Sequence, residues 1–193
     1  MRKIKLFMMV SLDGFFEGPN HDLSWHNVDP EFDRFAVKQL ESSNLILFGR
    51  RTYQLMEAFW PKAADDPKIS GDNMKVADFM NNTDKIVFSR KGIRINERKN
   101  WRNVRLMKSV DADEMRRLKR MPGKDIIILG SNGLCVSLMR KRLVDEFGIM
   151  INPVSIGRGT PLFKGLGKKI KFELLGVRAF NSGNILAYYR PKM

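Results

Sequence analysis

Residues 125–163 read DIIILGSNGLCVSLMRKRLVDEFGIMINPVSIGRGTPLF, and this stretch decides the fold. It opens with an apolar, β-branched run at 126–129, which predicts a buried strand. Gly130-Ser131-Asn132-Gly133 follows, and apolar residues then recur at helical spacing from Leu134. A strand that turns through glycines into a helix leaves backbone N–H groups free at the helix start, where a phosphate can bind. Ser131 or Asn132 could instead cap the helix, so an ordinary capped turn explains the same residues equally well.

Short apolar runs alternate with helical patterns along the rest of the chain. This alternation predicts an α/β fold with a largely parallel sheet of about eight strands, covered on both faces. Asn181-Ser182-Gly183-Asn184 predicts the turn of a closing antiparallel hairpin. The predicted strands are 3–10, 45–48, 85–88, 104–107, 126–129, 143–151, 172–180 and 185–190. The predicted helices begin at Asp29-Pro30 and at 111, with shorter ones at 53–59 and 74–80, and residues 15–25 form a loop.

Composition limits the function classes. The 193 residues with 43% hydrophobic content predict one globular domain, 1–193. Cys135 is the single cysteine, which excludes an internal disulfide and favours a reducing compartment. With only His21 and His26 beside it, we expect no metal site. No apolar stretch is long enough for a membrane span, so we expect a cytoplasmic protein.

The net charge of +14 raises the question of a polyanionic partner. The densest basic run lies at 90–108, where Glu97 is the one acid. Basic residues are nevertheless spread over much of the chain, and no aromatic-interleaved RNA signature or zinc finger accompanies them. A solvated basic surface is the simpler interpretation, and we do not expect nucleic acid as a partner.

Four predicted strand ends carry groups that suit phosphates. In an open α/β sheet, ligands bind beyond the carboxyl ends of the strands. Two of these ends are glycine-containing helix starts, which suit a pyrophosphate, and two bring arginine and hydroxyl groups, which suit a phosphate monoester. Together they favour a nucleotide that carries an additional phosphate. The four ends lie at 11–14, 49–52, 89–90 and 130–133.

Three motifs in the stretch at 125–163 carry a resemblance to a known superfamily. They are GSNGL at 130–134, LVDEF at 143–147 and PVSIGRGTPLF at 153–163. In this order they resemble the dihydrofolate-reductase-like superfamily, in particular the C-terminal reductase domain of riboflavin-biosynthesis deaminase/reductases and its stand-alone relatives. The resemblance implies a three-layer α/β/α fold over nearly the whole chain, an NADPH cofactor and a homodimer.

The resemblance also implies which residues meet the cofactor. ILFGRRTY at 46–53 and IVFSR at 86–90 look like the phosphate-binding motifs of the superfamily, and SLDG at 11–14 looks like the riboflavin-type signature beside the nicotinamide. The 2′-phosphate candidates are Arg50, Arg51 and Arg90, and the nicotinamide candidates are Val10, Gly18 and Leu129. The remaining cofactor candidates are Gly49, Thr52, Ser89, Gly130, Ser131, Asn132 and Gly133.

The substrate side is less determined by the sequence. We expect Asp13, Trp25, Glu31 and Phe35 to wall a substrate pocket beside the nicotinamide. Dihydrofolate reductases carry a pterin-binding acid on the first helix, and counting along the helix places that acid at Glu31 or at Asp29. Both acids equally favour a helix start on their own account, and Trp25 and Phe35 are equally good core residues.

One position departs from the riboflavin pattern. In those reductases a glutamate that contacts the substrate precedes the glycine pair, and Leu129 stands there in this chain. The zinc deaminase motifs are absent as well. We therefore expect an NADPH-dependent oxidoreductase that reduces a different small heterocycle or carbonyl compound, and we assign no catalytic residue. The alternative is a nucleotide- or nucleic-acid-binding protein that keeps the fold without catalysis.

Overall fold

The computed structural model describes residues 1–69, 71–95 and 101–192. Arg98, Lys99 and Glu97 of the basic run lie outside the described residues. The strands found there are, in chain order, β1 (Ile4–Ser11), β2 (Phe15–Glu17), β3 (Ser43–Gly49), β4 (Asp84–Phe88), β5 (Val104–Met107), β6 (Asp125–Ile128), β7 (Glu146–Asn152), β8 (Thr160–Pro161), β9 (Phe172–Ala179) and β10 (Ile185–Pro191). The helices are α1 (Pro30–Glu41), α2 (Arg50–Ala63), α3 (Gly71–Asn82), α4 (Ala112–Arg120) and α5 (Asn132–Arg140).

The main sheet has eight strands in the order β5-β4-β3-β6-β1-β7-β10-β9. The six strands from β5 to β7 are parallel, and β10 and β9 add antiparallel strands at one edge. The predicted α/β fold with its C-terminal antiparallel hairpin is therefore confirmed. Because the parallel strands all end at the same edge, the carboxyl ends of β4, β3, β6 and β1 lie side by side.

Helices cover both faces of the sheet. On one face, α1, α2 and α3 bury Leu40, Tyr53 and Met80 against Phe48 and Ile127. On the other face, α4 and α5 contribute Met115, Leu118, Cys135 and Leu138, which pack on Ile128. The run Ile126–Ile128 is buried on both faces because successive strand residues point to opposite sides.

The structure corrects several predicted boundaries. Residues 15–25 are not a plain loop, because β2 pairs with β8 and a single 3-10 turn spans Pro19–His21. The helices predicted at 53–59 and 74–80 are longer at both ends, as α2 and α3 show. Pro61 lies within the last turn of α2, and the helix continues only to Ala63 beyond it. No helix in the described part of the chain is long and apolar enough to cross a membrane.

Candidate functional site

Two glycine junctions meet at the carboxyl edge of the sheet. The first joins β3 to α2 and the second joins β6 to α5, and β3 and β6 are neighbours. A Cβ placed on Gly49 would lie 2.2 Å from the Ser131 Oγ. A Cβ on Gly130, which has φ +109°, would lie 3.0 Å from the Thr52 Oγ1. The two helix starts can pack this closely only because both junctions use glycine.

Neither of these helix starts is capped by a side chain. Gly49 and Ser131 hold the N-cap positions of α2 and α5, and no side-chain bond caps either helix. Ser131 occupies the N-cap position, but the alternative that the Ser131 or Asn132 side chain caps α5 is not supported. The Asn132 amide instead donates to the carbonyls of Pro161 and Leu162, which ties the loop after β7 to this junction.

The first turn of α5 leaves backbone donors available. The first bond within the helix runs from the Cys135 N–H to the Ser131 carbonyl at 3.0 Å. The three preceding N–H groups, from Asn132 to Leu134, have no partner inside the helix. A Cβ on Gly133 would meet no atom within 4 Å, so the space over this turn is open. The junction can therefore receive an anion on its backbone donors.

Three arginines flank the junctions and are exposed: Arg50, Arg51 and Arg90. Arg50 makes one long contact, with its Nη1 at 3.4 Å from the Gln54 Oε1. No ion pair among the described residues involves any of the three. Their guanidinium groups remain available to a phosphate.

Ser89 behaves differently from the arginines. It is buried, and its Oγ donates to the Gly92 carbonyl at 3.0 Å, while its N–H donates to the Met107 carbonyl at 2.9 Å. The hydroxyl bond closes the turn after β4, and the N–H bond joins Ser89 to the end of β5. The hydroxyl thus shapes the turn that presents Arg90.

The candidates for the nicotinamide end lie further along the same edge. Val10 is buried near the end of β1, and its carbonyl accepts from the Asn152 amide at 3.1 Å. Leu129 is half-buried beside Gly130 and contacts the hydrophobic clusters under α1 and α2. Gly18 is buried, and its N–H donates to the Asp22 carbonyl at 2.9 Å.

Asp13 fixes the loop after β7 to the end of β1. Its carboxylate accepts from the Ser11 hydroxyl at 2.6 Å and the Ser155 hydroxyl at 2.8 Å. It also accepts from the N–H groups of Ile156 at 3.2 Å and Gly157 at 2.7 Å. The Ser11 bond, followed by these others, holds the pKa of Asp13 far below its ordinary value. Asp13 is consequently ionised at neutral pH.

Glu31 is also engaged within the protein. One oxygen accepts from the Asn181 N–H at 2.9 Å and the other from the Arg178 guanidinium at 2.8 Å. These two contacts lower the pKa of Glu31. Between the two candidate acids of the first helix, Asp29 caps α1 by accepting from the Phe32 N–H at 2.7 Å.

The two aromatic candidates differ in burial. Phe35 is 6% exposed and packs edge-on against Phe180, with the ring centroids 5.6 Å apart. Trp25 is half-buried, donates from its indole N–H to the Asp22 carbonyl at 3.1 Å, and meets the His26 ring edge-on. Phe35 thus belongs to the core under the site, whereas Trp25 lies nearer its surface.

The sequence did not predict an asparagine network that holds this region. The Asn27 N–H donates to the Asn152 Oδ1 at 2.8 Å, and the Asn184 amide donates to the Asn27 carbonyl at 2.7 Å. Asn152 and Asn184 are fully buried. Asn152-Pro153 indicated only the end of a strand, because the partners of Asn152 lie 125 and 142 residues away.

Known proteins are similar to this chain in sequence and fold. The family described as RibD C-terminal domain matches residues 2–186. The chain belongs to this family. The YyaP protein of Bacillus subtilis (strain 168) is 33% identical over 188 residues, which cover 97% of this chain and 94% of YyaP. This membership confirms the resemblance found in the sequence motifs.

Solved structures support the same fold. A protein from Shewanella sp. PV-4 that is named for riboflavin biosynthesis superimposes with a TM-score of 0.73 at 20% identity, over 99% of both chains. Dihydrofolate reductase from Enterococcus faecalis, complexed with NADP(H) and RAB-propyl, gives a TM-score of 0.62 at 15% identity, over 99% of this chain and 97% of the enzyme. At these identities the likeness establishes the fold, which is a reductase-type, dihydrofolate-reductase-like fold.

Proposed function

We propose that this protein is an NADPH-dependent reductase that transfers hydride to a small heterocyclic or carbonyl substrate. The observation that carries the proposal is the pair of uncapped glycine junctions, Gly49 against Ser131 and Gly130 against Thr52. Exposed arginines stand beside them. The E. faecalis enzyme of the same fold was solved with NADP(H), which agrees with this proposal.

The residues present fit a dinucleotide with a 2′-phosphate. The first turns of α2 and α5 would hold the pyrophosphate on backbone N–H groups, and the open space over Gly133 admits it. Arg50, Arg51 and Arg90 would hold the 2′-phosphate by charge-assisted hydrogen bonds. When bound, the cofactor supplies the hydride. The chain supplies binding and orientation, with the nicotinamide directed toward Val10 and Leu129.

The protonation states of the side chains near the site limit which of them can act as a general acid. A general acid must be protonated at working pH, yet the pKa values of Asp13 and Glu31 are both lowered. Burial lowers the pKa of His26 to about 4, so its ring is neutral at pH 7. We infer that none of these three donates the proton, and that it comes from solvent.

Titration of the purified protein with NADPH tests the proposal. We expect saturable quenching of Trp fluorescence with a Kd below about 1 mM, and weaker binding of NADH. Loss of NADPH absorbance in the presence of candidate heterocycles and carbonyl compounds then identifies the substrate class. Binding without turnover of any acceptor would favour the alternative of a nucleotide-binding protein, and no binding at all would refute the cofactor assignment.

We also propose that the protein is a homodimer, with the outer face of the closing hairpin as the interface. Leu174, Val177 and Ile185 are 54%, 60% and 45% exposed. The strand register places all three on one face. Val177 pairs with Ala187, and Ile185 lies two residues from Ala187 on the same strand. Leu174 pairs with Tyr189, two residues beyond Ala187, because the register shifts between Tyr188 and Tyr189. A two-fold contact through β9 would cover these side chains, and an apolar patch of this kind is typical of interfaces.

Light scattering tests the dimer. We expect a mass of twice the 22.3 kDa of one chain for the wild type. We expect the mass of one chain for Val177→Lys, because the lysine would bury a charge in the apolar contact. Val28→Lys is the matched control, since Val28 is an exposed valine outside the hairpin at 53%. A wild-type mass of one chain at micromolar concentration would refute the dimer.

A further inference from the structure

A cavity of about 600 Å³ lies at the edge of the sheet opposite the candidate cofactor site. It forms where β1 and β7 begin and β10 ends, between the end of α5 and the segment 168–171. Its volume falls in the range of small-molecule sites. Nothing in the reductase proposal uses it.

The rim of this cavity is strongly basic. Arg142, Lys168, Lys169 and Lys171 line it and are all exposed. None of the four forms an ion pair within the described ranges. Four like charges around one concavity repel one another and attract an anion.

The acids at this cavity are already paired. The Asp145 carboxylate accepts from the Lys119 Nζ at 2.7 Å and from the Ile4 N–H at 2.8 Å. Glu146 pairs with the Lys3 Nζ at 2.5 Å. Because both acids have their own partners, they do not neutralise the cations of the rim.

The floor of the cavity is apolar. It is formed by side chains of the core and of the segments that close over it: Met139, Val144, Phe147, Ile170 and Pro191. Phe147 is 1% exposed and packs edge-on against Phe172. An apolar floor beneath a cationic rim is complementary to a molecule that has an apolar body and a negatively charged end.

We propose that this cavity binds a small organic anion with an apolar body, through charge contacts at the rim and burial of the body on the floor. Two other occupants fit the observations less well. A second copy of the chain would bring two basic rims face to face, which is repulsive. Single-stranded nucleic acid needs exposed aromatic rings for stacking, and Phe147 is covered.

The probe for the test is 1-anilinonaphthalene-8-sulfonate, which combines an aromatic body with one negative charge. Calorimetric titration of the full chain with saturating NADPH present, so that the cofactor site is blocked, is expected to show one site with a Kd of about 1–100 μM. Raising NaCl should weaken this binding, because salt screens the exposed rim.

Charge-reversal variants locate the site. Lys169→Glu with Lys171→Glu should weaken binding of the probe at least about tenfold. Lys38→Glu with Lys62→Glu removes the same charge from exposed helix positions away from the cavity and should leave the affinity unchanged. Arg142→Gln, on the opposite wall, should weaken binding independently, which guards against a folding defect in the first variant.

Competition defines the ligand class. Naphthyl phosphate and a medium-chain fatty acid distinguish aromatic phosphates from aliphatic carboxylates, and displacement of the probe by either supports the proposal. Equal binding of neutral naphthalene derivatives, displacement by inorganic sulfate alone, or an affinity unaffected by the lysine and arginine variants would overturn it. Binding of oligo(dT) that is lost in the same variants, without any probe binding, would show a polyanion surface instead.

Discussion

The carboxyl edge of the sheet has two halves that use their polar groups in opposite ways. In the glycine half, residues 49–52 and 130–133, the helix starts carry no side-chain cap. In the acid half, around Asp13, Asp29 and Glu31, every carboxylate already accepts bonds from the protein. One half keeps its donors open, and the other uses its acceptors to hold loops.

This difference indicates that the glycine half binds a ligand and that the acid half positions loops. Capping is the usual way to satisfy a helix start, and α1 and α4 use Asp29 and Asp111 for it. That α2 and α5 lack caps, at the two junctions that pack against each other, indicates donors kept for a ligand. The acids of the other half are better explained as anchors of the loops around them than as groups that bind or protonate a substrate.

The largest effect is expected from Gly133→Ala. The added Cβ meets no atom within 4 Å, and alanine is a better helix former by up to about 1 kcal/mol, so the free energy of unfolding should stay equal or rise. The methyl group nevertheless enters the open space over the first turn of α5. We expect the Kd for NADPH to rise about 10- to 100-fold, as lost charge-assisted hydrogen bonds would predict.

The comparison is supported if the NADPH affinity of Gly133→Ala falls while its free energy of unfolding does not. Urea unfolding gives the stability and fluorescence titration gives the affinity. Gly71 is unsuitable as a control because its φ is +59°. The matched change is Gly176→Ala in β9, where an added Cβ also meets no atom within 4 Å, and it should leave the NADPH affinity unchanged. An unaltered NADPH affinity in Gly133→Ala would show that the first turn of α5 does not bind the cofactor phosphate.

Asp13→Ala tests the acid half. The carboxylate holds the Ile156 and Gly157 amides, so its removal should raise their hydrogen-exchange rates about tenfold. The Kd for NADPH should change much less, because the glycine half is intact. Asp66→Ala is the control, since its carboxylate accepts from the Lys68 amide at 2.9 Å and, among the described residues, makes no bond to the loop after β7. Unchanged exchange at 156 and 157 would show that Asp13 does not anchor the loop.

The two halves also differ in how far the sequence predicts them. The glycine half is local: a strand, a glycine turn and a helix follow one another within about ten residues, so Gly49 and Gly130 could be recognised from the pattern. The contact between Gly49 and Ser131 follows once β3 and β6 are neighbours. Only the missing cap at Ser131 required the structure.

The acid half depends on partners distant in the sequence. Asp13 bonds residues 142 to 144 positions away, and Glu31 bonds residues 147 and 150 positions away. The pattern of apolar residues in a sequence does not show such distant pairs. Asp13 and Glu31 could therefore also be interpreted as substrate ligands. The eight-stranded sheet, by contrast, was predictable because each strand is a local apolar run.

Variants of the exposed arginines test how the glycine half would bind the 2′-phosphate. Arg51→Ala, and separately Arg90→Ala, should weaken NADPH binding about five- to tenfold and leave NADH binding unchanged, because only NADPH carries the 2′-phosphate. Arg116→Ala on α4 is the control, as Arg116 already pairs with Asp113 at 2.8 Å. Equal losses for both nucleotides would assign these arginines to general charge attraction instead.

The smallest effect is expected at His26, which lies in the acid half. Burial lowers its pKa from 6.5 to about 4, and its Nε2 has no partner among the described residues. Between pH 6.5 and about 4 the unfolded chain therefore binds a proton that the folded chain does not. Stability must fall as the pH drops through this window and recover above pH 6.5.

Urea unfolding at pH 7 and pH 5 measures this contribution. One pKa unit corresponds to about 1.4 kcal/mol, and because the ring keeps some contact with solvent we expect a loss of about 1 kcal/mol at pH 5. His26→Phe keeps a ring against Trp25 and should remove that loss, whereas His21→Phe, at an exposed position, should keep it. The carboxylates contribute chiefly below pH 5, where their unfolded forms gain protons, so the comparison at pH 5 isolates the histidine. An equal loss in His26→Phe and the wild type would place the pH dependence elsewhere and leave the acid half held by its carboxylates alone.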